Sequence, residues 1–114
     1  MSNIQKVELA IEHAKSGIAF GEALDRLLNN RDFQQVIEQG YLREEAIRLV
    51  HLKADPGMYT ESDQADIDRQ ISAIGQFKNW FHLQRTITEH LRKELKDNSD
   101  ELEELRREEA EGAN

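Results

Sequence analysis

The stretch from Asp63 to about Leu105 constrains the fold most, because no other segment holds one helical period for so long. Counting in sevens from Ile67 places Ile67, Ile74, Phe81, Leu95 and Leu102 at one seam position. Phe77, Leu91 and Leu105 fall at its partner position. Such three- and four-residue spacing keeps an apolar stripe on one side of a helix, as a bundle or coiled-coil helix requires. No proline interrupts the stretch, and Gly75 is its only glycine. A helix of that length reaches roughly 60 Å, about twice the width of a small domain, so it must break or project. The run Asp97-Asn98-Ser99-Asp100 is a poor helix interior and a good N-cap site. The pattern therefore allows one continuous rod, or a break near 97–99 followed by a short helix from Asp100 to about Glu109. The last residues, ending Gly112-Ala113-Asn114, are expected to fray.

The preceding residues read as a series of shorter helices. Ser2 with Gln5 forms a capping box, and Ile4, Val7, Ile11 and Ala14 then share one face. Gly17 either stops this helix or bends it, since the stripe continues through Ile18. Phe20, Leu24, Leu27 and Leu28 form the next buried face, ended by Asn29-Asn30. Asp32 is the expected N-cap of a short helix over Phe33–Gln39, with Val36 and Ile37 facing in and Gly40 closing it as a left-handed C′ residue. A further helix over Leu42–Lys53 buries Leu42, Ala46, Leu49 and Val50, with Ile47 on the flank. Asp55-Pro56-Gly57 terminates it, and Thr60 or Ser62 caps the long helix. Phe77, Trp80, Phe81 and Leu83 are the most apolar point of the chain and mark the expected core. The fold class is all-α, a small helical bundle with a long, charged, coiled-coil-like C-terminal helix. Residues 1–96 form the body and 97–114 an acidic extension. The expected core is Val7, Ile11, Leu24, Leu27, Phe33, Val36, Ile37, Leu49, Val50, Ile67, Ile71, Ile74, Phe77, Trp80 and Phe81.

Composition narrows the chemistry. A chain of 114 residues holds one modest core. With no cysteine there is no disulfide scaffold, thiolate metal site or cysteine nucleophile. The charged, short-period N-terminus does not read as a signal peptide, and no apolar run is long enough to span a membrane. Residues 1–96 carry 13 Lys/Arg against 15 Asp/Glu, while 97–114 carry eight Asp/Glu against Arg106 and Arg107, which places most of the net charge of −8 in the tail. No basic patch suits phosphate, so direct nucleic-acid binding is not expected. His13, His51, His82 and His90 form no H-x-x-x-H pair, and none follows a glutamate by three residues, so no metal site is expected. Glu44-Glu45, Glu103-Glu104 and Glu108-Glu109 read as solvated helix faces rather than an acid–base pair. No nucleophile elbow or phosphate-binding glycine motif is present. Neither a cofactor nor an enzymatic activity is expected.

A functional reading competes best at Leu91, Leu95, Asn98, Leu102 and Leu105. Flanked by Glu89, Arg92, Glu94, Lys96, Glu101 and Glu104, these residues have the character of a coiled-coil seam, with Asn98 able to fix register. The stripe can meet another chain, pack back on the body, or stay largely unstructured; an intermolecular contact is the expectation. Tyr59, in the loop after Pro56, is either tucked under that loop or offered to a partner. Trp80 could anchor an interface but is expected in the core.

The segments Asn30-Arg31-Asp32-Phe33, Glu38-Gln39-Gly40-Tyr41, Glu45 through Pro56 and Ile71-Ser72-Ala73-Ile74-Gly75 resemble a pattern in small, acidic, helical bacteriophage proteins encoded among virion and head-assembly genes. The resemblance spans about residues 28–81 and brings no catalytic residues with it. It implies a phage structural or morphogenesis component located in the host cytoplasm or in the virion. The expected partners are copies of itself, as a homo-oligomer, or larger phage structural proteins, contacted through the C-terminal helix. The alternative is a small phage-encoded inhibitor or regulator that engages a host protein through its acidic surface.

Overall fold

The computed structural model describes residues 1–112, which form helices α1 (Asn3–Leu28), α2 (Arg31–Phe33), a π-helical segment (Gln34–Glu45), α3 (Ala46–Lys53) and α4 (Glu61–Gly112). No strand occurs among the described residues, and the protein is all-α. It comprises two compact units, one made by residues 1–24 with Gln84 onward and the other by residues 25–83.

Helix α1 starts where the capping box placed it. The Gln5 amide donates to Ser2 Oγ at 3.1 Å, and the Ser2 amide donates to Gln5 Oε1 at 3.0 Å. It runs unbroken through Gly17, which neither stops it nor adopts a positive φ. The reason is tertiary. A Cβ on Gly17 would strike the end of Leu91, and one on Gly21 would strike Thr88, so both glycines serve close helix approach. Val7, Ile11, Ala14, Ile18, Gly21 and Leu24 are the residues α1 buries. The first unit is thus an antiparallel pair, with Gly17 beside Leu91, Gly21 beside Thr88, and Glu8 bonded to Arg106 at 3.3 Å.

The second unit is a helical hairpin. Asn30, not Asp32, caps its first helix, its Oδ1 accepting from the Phe33 amide at 2.9 Å. Gly40 closes nothing, because the backbone continues helically from Arg31 to Lys53 and no glycine has a positive φ. From Gln34 to Glu45 the helix widens to π geometry, which departs from the 3.6-residue period that the sequence reading applied there. Val36 accordingly points outward at 62% exposure. Helix α3 ends before Asp55-Pro56-Gly57, where Asp55 Oδ1 accepts from the Gly57 amide at 2.8 Å. Gln64 Nε2 donates back to the carbonyls of Lys53 and Met58, fixing the loop. Thr60 caps α4, its Oγ1 accepting from the Asp63 amide at 3.1 Å.

The hairpin core is Leu49, Ile67 and Ile74, packed by Leu42, Ala46, Leu52, Met58 and Ile71. Phe33 and Tyr41 set their rings edge-on against Phe81 and Phe77, with centroids 5.8 and 6.0 Å apart. Helix α4 is continuous through 97–99, and Asn98 is half-buried within it. Helix persists to Gly112, where fraying was expected; Ala113 and Asn114 lie outside the described residues.

Candidate functional site

The seam residues Leu91, Leu95, Asn98, Leu102 and Leu105 are all half-buried on one side of α4 in the first unit. Part of their cover is α1 of the same chain. Leu91 reaches over Gly17, and Leu102 shares a groove with Ile11, Lys15, Ser99, Glu103 and Arg106. Thr88 continues this side as the one buried polar residue described, its hydroxyl donating to the Gln84 carbonyl at 2.9 Å. Tyr59 belongs to the loop of the second unit and is 81% exposed.

Several side chains expected in the core lie at the surface. Leu27, Val36, Val50, Phe77 and Trp80 are all exposed, as is Phe20, which had been assigned to the same buried face as Leu24. The physical reason is shared. Within one unit a helix packed against a single neighbour covers one stripe, and flanking apolar positions stay more exposed. On α4, Phe81 takes the covered stripe, while Trp80 lies one residue or about 100° around the helix and touches the Phe81 ring edge-on, centroids 5.4 Å apart.

The second unit has a shallow cleft of about 240 Å³ bounded by Gly40, Tyr41, Glu45, Leu49, Gln70, Ala73 and Ile74. Glu45 is its only carboxylate, and Arg48 Nε donates to both of its oxygens at 3.1 and 3.0 Å. This hydrogen bond, reinforced by the guanidinium charge, holds the Glu45 pKa below the usual glutamate value and raises that of Arg48. A carboxylate made more acidic is a poorer proton acceptor near neutral pH, so the pair suits surface anchoring better than base catalysis. Among the described residues no three histidine or carboxylate side chains come together as a metal site. No described helix is long and apolar enough to cross a membrane.

What the sequence reading missed is the second face of α1. Leu9 and Phe20 are 59% and 53% exposed there, with exposed His13, Ser16 and Ala23 between and beyond them. The signal was present as a second series at four- and three-residue spacing, interleaved with the buried one. Comparison of the chain with protein-family models, with curated proteins and with solved structures found no match.

Proposed function

We propose that this chain is a non-enzymatic interaction protein that acts through α4, as a bacteriophage structural or morphogenesis component. The observation that carries the reading is the exposed apolar side of α4 in the second unit. Phe77, Trp80 and Leu83 recur there every three residues at 39%, 41% and 51% exposure. Aromatic side chains offered on a rigid helix are the usual anchors of protein interfaces. Burying them contributes about 25 cal/mol per Å² of apolar surface covered. The phage setting comes from the resemblance of residues 28–81.

The test is co-sedimentation of the full-length protein with phage particles and procapsids from the host that produces it. Trp80→Glu with Leu83→Glu should abolish co-sedimentation and leave the circular dichroism spectrum helical. Equal binding by both proteins, or by neither, sinks the reading.

The alternative, an acidic inhibitor of a host protein, is favoured by a separate observation. The acids from Asp100 to Glu111 are helical and exposed, as an ordered charged surface must be. Binding of that kind weakens steeply with salt, whereas an apolar α4 contact does not.

A further inference from the structure

We draw no further inference here: the strongest candidate, the shallow cleft beside the π-helical segment of the second unit, has as its only carboxylate Glu45, which already accepts from Arg48 on both oxygens, and nothing in the structure shows what would occupy it.

Discussion

Gly21 on α1 and Thr88 on α4 approach so closely that a Cβ added to Gly21 would lie 2.8 Å from the Thr88 Cβ. Glycine inside a helix normally weakens it by about 1 kcal/mol relative to alanine. Here the missing side chain is what allows the two helices to meet.

Gly21→Ala should therefore destabilise the protein, although it improves helix propensity. Its clash is with the stem of Thr88, which is fixed by the backbone, and overpacking of this kind typically costs about 1–3 kcal/mol. Gly17→Ala should be milder, because it meets only the flexible end of Leu91, whose Cγ stays 3.7 Å away. Urea denaturation of the two variants checks the order.

Leu49→Ala should cost about 2–5 kcal/mol, since Leu49 is 0% exposed in the core of the hairpin unit. Val50→Ala, one residue on and 57% exposed, should change stability by less than about 1 kcal/mol. Thermal melts of both variants distinguish a covered from an uncovered position.

Leu95→Asp with Leu102→Asp should lower the unfolding midpoint of the chain itself. Both side chains are half-buried, and Leu102 lies beside Ile11 of α1. If the midpoint stays unchanged while association falls, the seam works between chains instead.

The Glu45–Arg48 pair sets an acid-side dependence with a definite sign. The folded pKa of Glu45 lies below its unfolded value, so its contribution is present above the ordinary glutamate range. It is lost as pH falls through the depressed folded value. The pair is exposed, so the effect on stability is small. An NMR titration should find Glu45 ionising below an ordinary glutamate, and Arg48→Ala should return it to the usual range.

Much of the fold was legible because local signals and tertiary packing agree. The Ser2–Gln5 box, the Thr60 cap and the Pro56 stop act through neighbouring backbone groups. The heptad count from Ile67 found Ile67, Ile74 and Phe81, all buried. The misses share a cause. Gly17 and Gly40 look like helix ends, yet Gly17 is retained for the approach of Leu91, and Gly40 sits within the π-helical segment. Trp80, Phe20 and Val36 are apolar enough to be read as core, but hydrophobicity does not say how many neighbours a helix has.

By itself the sequence determined that this protein is all-α, where its main loop lies, and that α4 carries one long apolar stripe. These follow from periodicity and capping, which are properties of short stretches of chain. Only the tertiary structure decided that Gly17 and Gly21 are packing glycines, that Leu91 lies over α1, and that Val36, Val50 and Phe77 stay partly exposed. Those outcomes depend on which surfaces meet. A helix with apolar residues on two sides leaves that choice open until its neighbours are in place.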